Sequence, residues 1–264
     1  MYEQEFKSEP EIVLALDTSS RKTGLALLRG RDAPRSVTIE SDERRSEKLW
    51  CDIESLLSES SIAIREIDLF GVCVGPGGFT GLRVGMSAMK GLAAATRKPL
   101  IGVTSLEAAA SRAEPASVVC ALVNAYKGEV YSQLFSMGRD GLPIALADPV
   151  VSTLSDALAR ASSQGALVFA GDAALENAEL IESVVGSQIE RERSGDQAEG
   201  RRVLNNSSYS LAIDIARLSY LKHSRSRSGN AESLRACYVR PAEAEVKLSL
   251  GLVGSKIKRS LKSG

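Results

Sequence analysis

The stretch FGVCVGPGGFTGLRVGMSAMKGLAAATRKPLIG, residues 70–102, decides the fold. Phe70 to Val74 is a short apolar, β-prone run, and Gly75-Pro76-Gly77-Gly78 breaks it. Thr80 is placed to cap a helix that begins near Gly81. The helix is expected to run to about Thr96 and to stop before Lys98-Pro99, because a residue preceding proline is pushed out of the α region. Leu100 to Val103 then reads as another strand. Strand, glycine turn, helix and strand in so short a span form a βαβ unit, so the sheet is expected to be partly parallel.

The helix in that unit is apolar over most of its circumference. Leu82, Met86, Met89 and Ala93 fall on one face, and Gly81, Gly85, Ala88, Leu92 and Ala95 form a second face of mostly small side chains. Arg83, Ser87, Lys90 and Arg97 mark the wet stripe. Such a helix is usually buried on more than one side. The body that approaches the small-residue face is either the chain's own sheet or another subunit, and the spacing alone leaves both readings open.

Working outward, 264 residues suit one large or two medium domains with an ample core. An apolar content of 44% and a charged content of 25% are ordinary globular values, which sets disordered and fibrous classes aside. No uncharged apolar run is long enough to span a membrane, and the acidic start Met1-Tyr-Glu-Gln-Glu has the wrong sign for a signal peptide. Cys51, Cys73, Cys120 and Cys237 are widely spaced and lie mostly in apolar runs, as expected for reduced buried thiols in a cytoplasmic protein. No CxxC pair is present, so a cysteine-based zinc site is not indicated.

The net charge is zero but unevenly spread. From Lys222 to Gly264 there are ten Lys or Arg against three Glu, on a body that is acidic overall. A basic end can bind RNA phosphate through counterion release, or it can be a solvated tail.

Glu11 to Leu16 is a continuous apolar strand ending in Asp17-Thr18-Ser19-Ser20, and Thr23 to Leu28 is its hairpin partner. Ser36 to Glu40 alternates as a third strand. Ser46 is expected to cap a helix to about Ser58 with Leu49, Ile53, Leu56 and Leu57 inward, leaving Trp50, the only tryptophan, off that face beside Glu54. Thr104-Ser-Leu-Glu107 is a capping box for a short alanine-rich helix. The second half repeats the pattern less clearly. It has strands at 118–123, 129–135 and 166–170, helices from Thr153 to about Ser162 and from Ser207 to Leu221, a loop at 191–202, a basic loop at 222–230 and a last strand at 234–239. Residues 175–185 are weakly helical, and Val253, Ile257 and Leu261 fall on one face of a marginal terminal helix. The fold class is therefore α/β. Three strands followed by helix, strand, helix, strand, helix is the order of a ribonuclease-H-like lobe, and actin-like proteins are built from two such lobes with mixed sheets flanked by helices. The division expected is a first lobe at 1–107, a reduced second lobe at 108–241 and a basic tail at 242–264.

Leu14-Ala-Leu-Asp17-Thr-Ser-Ser, Gly75-Pro-Gly-Gly-Phe-Thr-Gly-Leu-Arg83-Val-Gly85, Lys90-Gly-Leu-Ala and Val103-Thr-Ser-Leu resemble the TsaB (YeaZ) family. Weaker matches are Ala125-Tyr-Lys-Gly-Glu-Val-Tyr131, Ala170-Gly-Asp172 and Tyr238-Val-Arg-Pro241. The likeness is dense over residues 11–107 and patchy afterwards. It departs at Gly78, where the family usually has serine, and at Arg45-Ser-Glu47, which stands for His-Ser-Glu. The resemblance implies an accessory subunit of threonylcarbamoyladenosine synthesis on tRNA. Such a subunit pairs with a TsaD-like catalytic relative, with a small TsaE-like ATPase joining them. Pairing would run through first-lobe helices, with Trp50, Leu82, Arg83, Gly85, Met86, Met89 and Lys90 as contact residues. Self-pairing of the free chain and a nucleotide at the subunit junction stay open.

The chemistry can be read apart from the family. His223 is the single histidine, so neither a two-histidine metal site nor a supported nucleophile-histidine pair can be built within the chain, and neither metal nor cofactor is implied. Gly75 to Gly81 fits neither G-x-G-x-x-G nor the P-loop spacing. A glycine turn feeding a helix still attracts anions, so Asp17, Thr18, Ser19, Gly77 and Gly78 are the candidate nucleotide or anion residues. The alternative to a partner subunit is an actin-like ATPase or sugar kinase using Asp17. The bland reading is a tight turn in which Asp17 and Thr18 only close the hairpin.

Overall fold

Ile12 to Leu16 is apolar at every position, which suits a strand covered on both faces, and this strand is the centre of the first sheet. The computed structural model describes residues 12–20, 22–30, 35–40, 45–125, 127–165, 168–184, 202–203, 210–226, 229 and 231–240. In chain order these form β1 (Ile12–Asp17), β2 (Lys22–Arg29), β3 (Arg35–Glu40), α1 (Arg45–Glu59), β4 (Leu69–Cys73), α2 (Phe79–Thr96), β5 (Leu100–Val103) and α3 (Ser105–Ala110). The second half supplies β6 (Val118–Asn124), β7 (Glu129–Met137), β8 (Pro143–Ala145), β9 (Val150–Thr153), α4 (Leu154–Ser163), β10 (Val168–Ala170) and α5 (Asp172–Glu176). Helical residues 178–184 (α6), β11 (Arg202–Val203) and α7 (Ala212–Ser226) complete it.

The first sheet has the order β3-β2-β1-β4-β5, antiparallel across β1–β2 and β2–β3 and parallel across β1–β4 and β4–β5. The second has the order β11-β10-β6-β7-β8, with β9 also on β7, and is likewise mixed. The two sheets thus repeat one layout, as the two-lobed reading expects. Alternate residues of each strand face opposite layers. Leu14, Leu16, Phe70 and Val72 pack under α1 and α2, whereas Val13, Ala15, Leu69 and Cys73 pack under α7. Among the described residues, no helix is long and apolar enough to cross a membrane.

Several expectations need correction. Helix α2 begins at Phe79 with Gly78 as its N-cap and no capping side chain, so Thr80 lies inside the first turn. Its far end is made by Arg97 in the left-handed region (φ 58°), just ahead of Lys98-Pro99. Helix α1 begins at Arg45, which puts Ser46 inside it. Helix α7 continues to Ser226 and carries His223 and Arg225 in its last turn, so neither lies in a loop. Residues 234–239 are not a strand: Cys237 N–H donates to the Val74 carbonyl at 2.7 Å, and the segment otherwise crosses the flank of α2. Helix α7 packs on the first sheet, although it follows residue 107 by a hundred residues. Cys73 and Cys120 are buried as expected, but Cys51 is exposed on α1. Of the loop expected at 191–202, Arg202 is instead in β11, paired parallel to β10, while residues 191–201 and the tail at 242–264 lie outside the described residues.

Candidate functional site

The polar tetrapeptide after β1 and the glycine turn after β4 meet, because β1 and β4 are parallel neighbours and end side by side. Asp17 is 1% exposed, and its carboxylate is occupied by the chain itself. One oxygen accepts from Ser19 N–H (2.9 Å) and Ser19 Oγ (2.7 Å), and the other accepts from Leu211 N–H at the entry to α7 (3.2 Å). Thr18 and Ser19 are also buried. Gly78 N–H donates to the Ser19 carbonyl at 2.7 Å, and a methyl group on Gly77 would lie 2.4 Å from that same oxygen. From the other side Ser105 holds the turn, through N–H to the Gly75 carbonyl (2.9 Å) and Oγ to the Pro76 carbonyl (2.6 Å). The five candidate anion residues are therefore together in space, but they close on one another. The hairpin-and-packing reading accounts for each of their contacts. We expect Asp17→Ala to lower the unfolding free energy by about 1–3 kcal/mol, because two buried donors on Ser19 and the part-buried Leu211 N–H lose their acceptor, and urea titration would show it.

Across from Asp17 the second lobe presents Asp172, which sequence reading matched only weakly through Ala170-Gly-Asp172. Its Oδ1 accepts from Asn124 N–H at 3.0 Å and from Ala173 N–H at 2.8 Å, and Asn124 Nδ2 donates to Glu176 at 2.9 Å. Burial pushes the Asp172 carboxyl above its ordinary range, against the two backbone donors that lower it. Among the described residues no group of His, Cys, Asp and Glu has the arrangement of a metal site.

The contact residues suggested for α2 divide into two sets. Leu82 (1% exposed), Met86 and Met89 (0%) are buried in the chain's own core, so they are not a contact surface. Gly85 is buried as well: Thr18 Oγ1 would lie 2.2 Å from a methyl group there, and it donates to the Gly81 carbonyl at 2.8 Å. At Gly81 and Gly85 the small-residue face thus admits β1 and its hairpin, whereas Ala95 at its far end is exposed. Lys90 is half-buried and donates to the Leu234 carbonyl at 2.8 Å. Only Arg83 and Trp50 of the seven point outward.

That outward side has its own character. Arg83 lies 3.8 Å from the Phe79 ring centroid, and Phe79 in turn meets Tyr238, with centroids 5.3 Å apart. Further along α2, Ser87, Gly91, Ala94 and Ala95 are exposed, and a methyl group on Gly91 would meet nothing within 4 Å. Beside them lies an apolar groove of about 470 Å³, with Trp50, Ile53 and Leu57 of α1 on one wall and Ile62, Ile64 and Leu92 on the other. Trp50 is 50% exposed at its rim. Of these exposed residues the periodicity places Ser87 on the wet stripe and Ala95 on the second face, and it assigns Gly91 and Ala94 to neither, so the stripe as a unit has no mark in the sequence.

A family model described as TsaD, tRNA N6-adenosine threonylcarbamoyltransferase, matches residues 40–184. The TsaB protein of Bacillus subtilis, named for tRNA threonylcarbamoyladenosine biosynthesis, is 28% identical over 178 residues, covering 67% of this chain and 77% of its own length. The Haemophilus influenzae protein of the same name is 32% identical over 122 residues, 45% of this chain, and there the match spans only 51% of the relative. A Pseudomonas aeruginosa crystal structure described as similar to peptidase YeaZ superposes with a TM-score of 0.66 at 24% identity, over 87% of this chain and 100% of the other, which bears on the fold. With more than half of its length inside the TsaD-related family model and TsaB proteins among its relatives, the chain belongs to that family and, within it, to TsaB (YeaZ).

Proposed function

We propose that this chain acts in tRNA threonylcarbamoyladenosine biosynthesis as the accessory subunit that binds and activates a TsaD-like catalytic relative. The relative would transfer the threonylcarbamoyl group to the adenosine beside the anticodon. A TsaE-like ATPase is the expected third member, and tRNA would be met indirectly or through the basic tail. The observation that carries this reading is the self-closed cleft: Asp17, the carboxylate an actin-like ATPase would need, is buried and held by Ser19 and Leu211. The ATPase or kinase reading finds no open site in these contacts.

The surface offered to the catalytic partner is the outer side of α1 and α2: Trp50, Arg83, Ser87, Gly91 and Ala94. Flat, small-residue helix faces flanked by an aromatic anchor suit close helix pairing, and interface energy concentrates at residues such as Trp and Arg. Arg83→Glu combined with Gly91→Arg, both exposed, is expected to weaken binding to a co-expressed TsaD-like subunit at least tenfold, or about 1.4 kcal/mol. Folding stability should stay within about 0.5 kcal/mol of the parent chain. Undiminished co-purification would reject the surface, and ATP turnover by the purified chain alone would reject the accessory role.

A further inference from the structure

The edge of the first sheet, the end of α7 and the turn between β7 and β8 border a cavity of about 420 Å³, a volume in the range of small-molecule sites. It shares no lining residue with the groove beside Trp50. Leu142 and Leu234 give it apolar walls, and Lys222, Arg225 and Ser226, from the end of α7, give it a polar side. The sheet edge adds a backbone donor. Phe70 N–H donates to the Pro99 carbonyl at 3.0 Å and Val74 N–H to the Val103 carbonyl at 2.9 Å, so Gly102, one residue out of phase, turns its own N–H away from β4. Strand β5 is the last of its sheet, and Gly102 lines the cavity without a side chain to cover that donor.

The placement of charge says what such a cavity would take. Lys222 Nζ pairs with Glu107 Oε1 at 2.8 Å, and Arg225 Nη1 pairs with Asp140 Oδ2 at 3.0 Å. In each pair the cation lines the cavity and the carboxylate does not, and among the described residues no acid lines it. Arg225 commits only Nη1 to Asp140, and Lys222 one of its three ammonium donors to Glu107, so both keep donors for a further oxyanion. The Arg225 pair is open to water at both ends, with side chains 67% and 48% exposed, so sharing that cation with a second acid costs little. Cations in a last turn also oppose the carbonyl end of the helix. That role explains where they stand on α7, but not why both carboxylates lie outside a hollow with apolar walls. We propose that this cavity binds a small organic carboxylate with an apolar body, its head group held by Lys222 and Arg225 and its chain laid against Leu142 and Leu234. With Glu107 and Asp140 close behind the two cations the surplus positive charge is small, which suits a singly charged carboxylate over a doubly charged phosphate.

Octanoate is a suitable probe, titrated into the full chain labelled with nitrogen-15 and followed by the amide signals of Gly102 and Ser226. Saturable binding with a Kd on the order of 1 mM is expected for a ligand of that size. Octanamide, which keeps the chain and lacks the charge, should bind about fivefold more weakly. Arg225→Gln should weaken octanoate by about the same factor. Asp140→Asn keeps an oxygen for the Leu142 N–H and removes a competing charge, so it should tighten octanoate about twofold. Local loss of structure would weaken binding in both variants, so the opposite signs separate a head-group contact from damage to the fold. The octanamide comparison needs no variant at all. Absence of saturation, equal binding of octanamide or an unchanged affinity in Arg225→Gln would each overturn the proposal, the last in favour of the groove beside Trp50. Tighter binding of octyl phosphate than of octanoate would overturn the ligand class. None of these readouts involves a TsaD-like partner, so the test stands apart from that of the accessory role.

Discussion

Replacing Arg112 by alanine is expected to destabilise the protein by about 3–5 kcal/mol, because it strands a buried carboxylate. Arg112 follows α3 and reaches α7: its Nε and Nη2 donate to Asp214 Oδ2 at 3.0 and 2.7 Å, and Nη2 also donates to the Ser210 carbonyl at 3.1 Å. Both side chains of the pair are only 10% exposed. Burial holds the Asp214 carboxyl above the usual carboxylate range even with the guanidinium beside it pulling the other way. A raised carboxyl binds its proton more tightly in the folded than in the unfolded chain. Its charged form therefore opposes folding above the unfolded value, and fully so once the pH exceeds the raised folded value. Without Arg112 that folded value rises further. The deficit of the alanine variant should thus be largest near neutral pH and shrink as the pH is lowered into the ordinary carboxylate range. Urea midpoints of parent and variant at neutral pH and at about pH 5 would check the sign. A deficit that grows on acidification would refute the account. The paired variant Arg112→Met, Asp214→Leu should recover much of the loss, since apolar replacement of a buried ion pair is often neutral.

The second large effect is expected at Gly85. An alanine there brings its methyl group to 2.2 Å from Thr18 Oγ1 and 3.2 Å from Thr18 Cγ2. The side chain of Thr18 is buried and bonded to the Gly81 carbonyl, so it can move only by losing that bond. Overpacking costs about 1–3 kcal/mol. The orphaned hydroxyl adds about 1–3 kcal/mol more. Gly85→Leu should not fold at all. Two comparisons isolate the cause. Gly91→Ala, on the same helix but with open space around it, should stabilise by about 0.5–1 kcal/mol through helix propensity. Adding Thr18→Ala to Gly85→Ala should return at least about 1 kcal/mol relative to additivity. Strict additivity of the two would mean that the contact is not the source of the loss.

Helix α2 also shows where sequence reading stopped. Its apolar and small faces were legible, because 3.6-residue periodicity depends only on near neighbours. Which body met the small face was not. The answer rests on Thr18, 63 residues from Gly81, and no local pattern encodes that pairing. Asp17 is the same case, since Leu211 N–H, which binds it, is 194 residues away. The first lobe was read almost strand for strand because β1, β4 and β5 are buried runs bounded by glycine or proline. In the second lobe β8 and β9 were missed: they are three and four residues long and lie at a sheet edge, with Ile144 and Val150 exposed, so no alternation marks them. The over-reading at 234–239 has the opposite origin. Apolar residues there cover the flank of α2 and the turn after β4 without completing a ladder, and composition alone cannot separate the two. Helix α7 was cut short at Leu221 because Lys222, His223 and Arg225 looked like loop, whereas a helix leaving its sheet can carry charge freely in its last turn.

The position of α7 has a consequence for synthesis of the chain. All five strands of the first sheet are complete by Val103, yet the helix that seals one of its faces starts at Ala212. At roughly 5–20 residues per second, Val13, Ala15, Leu69 and Cys73 stay uncovered on a nascent chain for about 5–20 s while the other lobe emerges from the ribosome. That interval is a window for chaperone capture, and any message truncated before α7 would yield a product with an open hydrophobic face, marked for proteolysis rather than function.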